Sequence, residues 1–277
     1  RSVKYGIPKE CYNEEFGTTD YDKMVSALDI WIGKFLERID FDNTLIILTA
    51  DHGEFIPTSK VGHELTFIPE LFGPGKMMKE KTPKFLHSVY SVGYRFLRYF
   101  AIPIKNMKYK KELTPLEQRS LNTRGHGSLW VLPDDTVKVP LILSGNGINT
   151  KNKIINQQIG SIDILPTIAD IISIDFDYNL SEGRTVLPLI NGEKLDEKPI
   201  FIENAVRRNP TKPGNCIGVR TDNFKYYRSR SDSKKKVCLY NLKEDPNEIF
   251  NIASENSDIV EKMEKLLKNI RKNSVRD

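Results

Sequence analysis

The chain has 277 residues, of which 39% are hydrophobic and 29% charged, and its net charge is +5. These values are typical of a globular protein with its own core, and no apolar run approaches the roughly 18 residues that a transmembrane helix needs. Three cysteines do not make a disulfide framework, so the cellular compartment stays open.

The first predicted elements are a helix and a buried strand. Apolar residues recur at helical spacing from Tyr21 to Ile39, which predicts an amphipathic helix. Residues 45–48 form a short apolar run that predicts a strand buried on both faces. A helix leading into such a strand is typical of a doubly wound α/β sheet.

A carboxylate and an imidazole follow this strand, on Asp51 and His52. Open α/β sheets bind ligands at the carboxyl ends of their strands. An oxygen donor beside a nitrogen donor suits a divalent metal ion, and Gly53 would let the backbone pass close to what is bound. The alternative interpretation is that Asp51 caps a following helix and His52 packs in the core.

Residues 42–53, DNTLIILTADHG, resemble the strand and turn that carry two metal ligands in the sulfatase branch of the alkaline phosphatase superfamily. The resemblance implies that Asp51 and His52 are metal ligands. It favours Ca²⁺. Many sulfatases have Asn where this chain has His52, so Mn²⁺, Mg²⁺ and Zn²⁺ stay open as alternatives. It also implies an alkaline phosphatase-like fold: a mostly parallel sheet sandwiched by helices, then a small antiparallel sheet with a helix.

Residues 67–123 interrupt the sulfatase pattern with a basic insertion. The segment contains eleven Lys and Arg against four Glu, a net of +7 in a chain whose total is +5. Its aromatic residues predict an amphipathic helix ending before Pro103. We weigh three interpretations: a solvated scaffold, a lid that attracts anions, and a surface that contacts a membrane. Nucleic acid is not predicted, because no recognised binding motif accompanies the charge.

Sulfatase-like sequence resumes at residues 124–130, RGHGSLW. By the resemblance, His126 takes the place of a residue that contacts the anionic oxygens of the ester and the leaving group. A His between two glycines is also poor core material. His63 is a weaker candidate for the substrate pocket, since His63 and Glu64 can equally cap the insertion. Val131 stands where sulfatases commonly have Glu, so no role is carried over from that Glu.

The rest of the chain predicts structure more than chemistry. Residues 161–172 match a sulfatase helix in which Ser161 and Asp163 are the predicted caps and Pro166 lies in the first turn. From residue 199 the pattern changes to short strands, and residues 219–227 and 239–253 match the C-terminal sulfatase signature. We therefore predict a catalytic α/β domain in residues 1–198 and a small α+β subdomain in residues 199–277. The final helix has an apolar stripe, which consists of Ile259, Val260, Met263, Leu266, Leu267 and Ile270.

The nucleophile motif of sulfatases, Cys or Ser followed by x-Pro/Ala-x-Arg, does not occur in the 277 residues. Cys216 and Arg220 have the spacing, but Gly218 stands where Pro or Ala is required and the run lies inside the C-terminal signature, so Cys216 is not predicted to be the nucleophile. The expectation is a C-terminal portion of a sulfatase-like enzyme whose N-terminal half completes the site. Hydrolysis of an anionic sulfate ester is the leading hypothesis. The alternatives are phosphodiester or phosphonate monoester hydrolysis or phosphoglycerol-type transfer, and a non-catalytic protein that binds an anionic glycan or a membrane surface.

Overall fold

The computed structural model describes residues 20–53, 114–115, 132–150, 152–204 and 216–274. These residues divide between two compact units, one with most of the first helix and the other with all remaining elements. In chain order the helices and strands are α1 (Asp20–Leu36), β1 (Leu45–Thr49), α2 (Asp134–Val137), β2 (Leu141–Gly145), α3 (Ile164–Ile171), α4 (Leu187–Asn191), β3 (Ile200–Asn204), β4 (Cys216–Arg220), β5 (Phe224–Ser229), β6 (Cys238–Asn241) and α5 (Ser257–Ser274).

Helix α1 confirms the first predicted element, although it ends three residues before Ile39. Its last turn tightens, because the amides of Arg38 and Ile39 donate to carbonyls three residues back. Its predicted packing face is more than half exposed at Leu28, Trp31 and Phe35. No helix in the described part of the chain is long and apolar enough to span a membrane.

Strand β1 forms where the apolar run predicts it, but its environment differs from the prediction. It pairs antiparallel with β2, with Leu45 opposite Gly145 and Thr49 opposite Leu141. Residues 45–48 are half-buried, so the expectation of burial on both faces is wrong for this structure. The physical reason is that β1 and β2 form a two-stranded sheet in the described residues, which leaves even Ile142 of the partner strand more than half exposed. The predicted parallel sheet is not seen among these residues and stays a prediction.

The C-terminal sheet confirms the predicted antiparallel strands. Its order is β3-β4-β5-β6, and each neighbouring pair is antiparallel. Helix α5 covers it with the predicted apolar stripe, in which Met263 and Leu267 are buried against Ile217 and Tyr226. Burial of these large side chains supplies the main stabilisation of this layer. The domain boundary at residue 198 stays a prediction.

The segment before α3 differs in detail from the predicted helix start. Residues Ser161–Asp163 form a 3₁₀ turn, so Ser161 does not cap α3. The buried carboxylate of Asp163 accepts from the backbone amides of Gly160 and Arg184, both at 2.9 Å. One bond runs to the residue three positions earlier and the other to the 183–186 loop. Asp163 therefore fixes that loop, and its side chain makes no capping bond to α3. Pro166 lies in the first turn, as predicted.

Candidate metal site

Asp51 and His52 follow β1 on an exposed turn. The Asp51 side chain is 90% exposed and the His52 side chain 55%. The Asp51 Oδ1 accepts from the backbone amide of His52 at 2.9 Å, which holds the carboxylate over its own turn. The half-exposed imidazole does not match the interpretation of a packed core histidine. Both side chains are therefore placed where an external ligand can reach them.

The backbone carbonyl of the next residue, Gly53, orients the His52 ring. Nδ1 lies 2.6 Å from the carbonyl oxygen of Gly53 and, because a carbonyl only accepts, Nδ1 carries the proton. In the neutral ring Nε2 then has the lone pair, which is the form of imidazole that binds metals. It lies 3.7 Å from Oδ2 of Asp51. That separation is less than twice a metal–ligand distance of about 2.0–2.2 Å, so one ion can contact both atoms.

The glycine of this turn is required by another element of the protein. The amide of Gly53 donates to the carbonyl of Thr136 in α2 at 3.0 Å. A Cβ added at Gly53 would collide with the carbonyl oxygen of Asp135 and lie 2.8 Å from that of Lys138. From the sequence, Gly53 is expected to allow the close approach of a bound ligand. In the structure its close neighbour is the backbone of residues 135–138.

We expect Gly53→Ala to weaken metal binding at least about tenfold, as changes in groups that orient metal ligands commonly do. The added methyl group must displace either the turn or α2, because the atoms it meets are backbone oxygens. Isothermal titration with Mn²⁺ would measure this. Gly33→Ala in α1 is the control, since a Cβ there meets nothing within 4 Å and Ala is a better helix former than Gly. Equal metal affinity in the two variants would contradict the prediction.

Four charged residues meet at the start of α2, two of them buried and two partly exposed. Lys225, on β5, is fully buried, and its Nζ lies 2.6 Å from Oδ1 of Asp134 and 2.6 Å from Oε1 of Glu248. Arg220, on β4, donates to both carboxylate oxygens of Asp134 through Nε and Nη2. Both carboxylate oxygens of Glu248 accept from the Asp134 amide at 3.2 Å. We call Asp134, Arg220, Lys225 and Glu248 the charge cluster.

The ionisation of Asp134 reflects these contacts. Burial alone would raise the pKa of its carboxyl group. The hydrogen bonds from Arg220 and the positive charge of Lys225 outweigh burial, and they hold the pKa well below its usual range. Asp134 is therefore ionised at neutral pH, and the cluster pairs two cations with two anions.

Two cavities lie next to the charge cluster. One has a volume of about 510 Å³, and its wall includes Asp134, Lys138 and Arg220. A groove of about 680 Å³ shares these three residues and reaches Thr49 at the end of β1. Asp51 and His52 are not among the described residues that line either space. These two cavities therefore do not mark the predicted metal site.

The other predicted site residues lie outside the described part of the chain. These are His126 and His63, and the basic insertion is described only at residues 114–115. Within the described ranges, no group of three or more His, Cys, Asp or Glu side chains is arranged to hold a metal ion. In the described ranges Asp51 and His52 are thus two candidate ligands, and a complete coordination shell would need others.

The environment of Cys216 fits the prediction that it is not the nucleophile. It begins β4 and is fully buried. Two effects raise the pKa of its thiol to about 11: burial, which is the larger, and the nearby Cys238. Because the thiolate is the reactive form, this thiol is a poor nucleophile at neutral pH.

Comparison with known proteins assigns the chain to a family. The family model described as Sulfatase matches residues 10–174, more than half of the chain, and the model described as N-sulphoglucosamine sulphohydrolase, C-terminal, matches residues 130–273. Arylsulfatase K of Gallus gallus is 30% identical over 145 residues, which is 48% of this chain and 25% of that protein. N-acetylglucosamine-6-sulfatase of Homo sapiens is 27% identical over 146 residues, 42% of this chain and 26% of that protein.

Solved structures agree at the level of the fold. The phosphonate monoester hydrolase SpPMH of Silicibacter pomeroyi superposes with a TM-score of 0.55 at 17% identity, over 93% of this chain and 40% of that one. BT4656, solved with its substrate D-glucosamine-2-N,6-O-disulfate, gives a TM-score of 0.53 at 17% identity, over 92% and 40%. The matches to the curated relatives span about a quarter of those proteins' length. On the match of the family models, the chain belongs to the sulfatase family.

Proposed function

We propose that this chain carries part of the metal site of a hydrolase that cleaves sulfate esters. The observation that carries the proposal is the pair of donor atoms after β1: Oδ2 of Asp51 and Nε2 of His52 are 3.7 Å apart on an exposed turn. Membership of the sulfatase family supports the reaction class. The carboxylate and imidazole fit a divalent ion such as Ca²⁺ or Mn²⁺, and an imidazole ligand also suits Zn²⁺.

Each residue has a defined task in this proposal. Asp51 and His52 would hold the ion, and the Gly53 carbonyl keeps the imidazole in the tautomer that can bind it. The bound ion would neutralise charge on the sulfate oxygens and stabilise the attacking group. His126 would bind those oxygens or donate a proton to the leaving oxygen. The basic insertion would attract the anionic substrate.

We also propose that the nucleophile and the remaining metal ligands come from outside the printed 277 residues. The absence of a Cys/Ser-x-Pro/Ala-x-Arg run within them supports this. The half-buried β1 also fits a larger, mostly parallel sheet whose helices would cover both faces of the strand. A sulfated amino sugar is the first substrate class to test, because N-sulphoglucosamine sulphohydrolase names the family model for residues 130–273.

Metal titration and paired substrates test the proposal. The 277-residue chain should bind Mn²⁺ or Ca²⁺, and the longest polypeptide that carries it should hydrolyse an aryl sulfate in a metal-dependent reaction. An aryl phosphonate monoester assayed beside it separates the two reaction classes, since the fold likeness includes a phosphonate monoester hydrolase. Preference for the phosphonate would overturn the assignment to sulfate esters. Metal-independent binding of a sulfated glycan without turnover would favour the non-catalytic alternative.

His126→Ala should lower turnover per folded molecule while the melting temperature changes little. The residue is expected to act on the substrate or the leaving group, a contribution that general acid catalysis usually places at about 10²–10⁴-fold. Steady-state kinetics together with thermal unfolding would separate the two effects. A strong loss of melting temperature with unchanged turnover would assign His126 to packing.

A further inference from the structure

We call the turn of residues 51–53, which carries the proposed ligands Asp51 and His52, the metal turn. One short helix joins the charge cluster to it. Asp134 is the first residue of α2, and Thr136, two residues later, accepts the hydrogen bond from Gly53. The helix is a single turn, closed by the bond from the Lys138 amide to the Asp134 carbonyl at 2.8 Å. So little chain separates the two contacts that a shift of Asp134 moves Thr136 as well.

The contacts of Asp134 leave it little freedom. Arg220 grips both carboxylate oxygens from β4, Lys225 contacts Oδ1 from β5, and Glu248 accepts from the backbone amide. Gln158 in turn accepts from the Arg220 guanidinium. The start of α2 is therefore fixed to the C-terminal sheet by directional bonds from three separate segments. Charged groups with several hydrogen bonds define geometry more tightly than apolar packing does.

A buried ion cluster is a costly way to obtain stability alone. Taking charges out of water carries a penalty that mutual attraction often only balances, and well-packed apolar residues can replace such a set without loss. Buried ionic groups are retained in some proteins because they specify one arrangement. Here the arrangement they specify includes the surface that backs the metal turn.

We propose that the charge cluster is a positioning device for the metal ligands. Asp134, Arg220, Lys225 and Glu248 hold α2 in place, and α2 holds Gly53, so that the Asp51 carboxylate and the His52 Nε2 face one ion. The cluster does not touch the metal. This inference rests on the proposed function of the Asp51–His52 pair, and it assigns to the C-terminal sheet a part in metal binding.

Arg220→Lys is the test variant, because it keeps the positive charge and removes the paired hydrogen bonds from Nε and Nη2 to the Asp134 carboxylate. Arg228→Lys is the matched control. Arg228 is also a largely buried arginine of the same sheet, and it is paired through Nε and Nη2 with one carboxylate, Glu264. It contacts neither α2 nor the metal turn through that pair. The two variants should lose comparable stability in urea unfolding.

Two readouts on the 277-residue chain separate positioning from stability. The amide of Gly53, which donates to Thr136, should exchange with solvent about tenfold faster or more in Arg220→Lys, and should be unchanged in Arg228→Lys. Affinity for Mn²⁺, measured by isothermal titration on the folded proteins, should fall about 10- to 100-fold in Arg220→Lys alone. Glu248→Gln should show the same pattern, and it replaces Arg220→Lys if that variant does not fold.

Different results would overturn the positioning role of the charge cluster and the proposed metal site. Unchanged Gly53 exchange in Arg220→Lys and Glu248→Gln, or an equal change in Arg228→Lys, would overturn the positioning role. If the unaltered chain binds no Mn²⁺ that His52→Ala abolishes, the proposed metal site fails, while the Gly53 exchange result still tells whether the cluster positions the turn.

Discussion

Asp51→Ala and His52→Ala should each lower metal-dependent turnover by two orders of magnitude or more, with the fold retained. Each variant removes one of the two described donor atoms, and loss of a ligand removes charge stabilisation that only the bound ion provides. Stability should change by no more than about 0.5 kcal/mol, because both side chains are largely exposed. Turnover in the longest polypeptide that carries this chain, with thermal unfolding and Mn²⁺ titration of each variant, gives the three quantities.

Asp42→Ala is the control for this experiment. Asp42 is an exposed carboxylate just before β1, at the opposite end of the strand from the metal turn. Its loss should leave both metal affinity and turnover unchanged. Full turnover in Asp51→Ala would remove the metal assignment, whatever the family membership.

Lys225→Met should lower the free energy of unfolding by about 3 to 5 kcal/mol, the usual cost of removing one partner from a buried ion pair. The variant keeps side-chain bulk but leaves Glu248 and one oxygen of Asp134 without the cation that they contact at 2.6 Å. Urea unfolding at neutral pH would measure the loss. Lys243→Met is the control, because Lys243 is exposed on the loop after β6 and should change stability by less than about 0.5 kcal/mol.

The pH dependence of this loss follows from Asp134. Its pKa in the folded protein lies below the unfolded value of about 3.9, so its contribution to stability is present above that pH and is lost as pH falls through the folded pKa. Without Lys225 that contribution is smaller. The deficit of Lys225→Met should thus be largest near neutral pH and shrink below about pH 4. A deficit equal to that of Lys243→Met at pH 7 would show that the cluster does not depend on Lys225.

The C-terminal sheet could be predicted from the sequence because its signals are local. Each short strand run and the helical stripe of α5 lie within one element, and both Met263 and Leu267 are buried as expected. The position of β1 could also be predicted, because its apolar run lies within one element. The direction of its partner strand could not be predicted, because a continuous apolar run looks the same beside a parallel or an antiparallel neighbour.

The charge cluster could not be predicted, because its members are distant in sequence. Lys225 and Asp134 are separated by 91 residues, and nothing near either marks it as buried. Lys225 lies between Phe224 and Tyr226, where a charged residue normally indicates the solvent face of a strand. Gly53 was predicted to allow close approach of a bound ligand, and its contact with α2 was not predicted because α2 is more than eighty residues away in the chain.

The reactivity of the buried Cys216 thiol would report local opening of the sheet. Cys216 begins β4, paired on one side with Asn204 and on the other with Ser229, so a reagent reaches its thiol only when that end of the sheet separates. Its rate of alkylation, compared with that of a free thiol of the same pKa, would give the population of the opened form without any engineered probe. Since Arg220 ends the same strand, an opened form that includes all of β4 would also separate Arg220 from Asp134 at the start of α2.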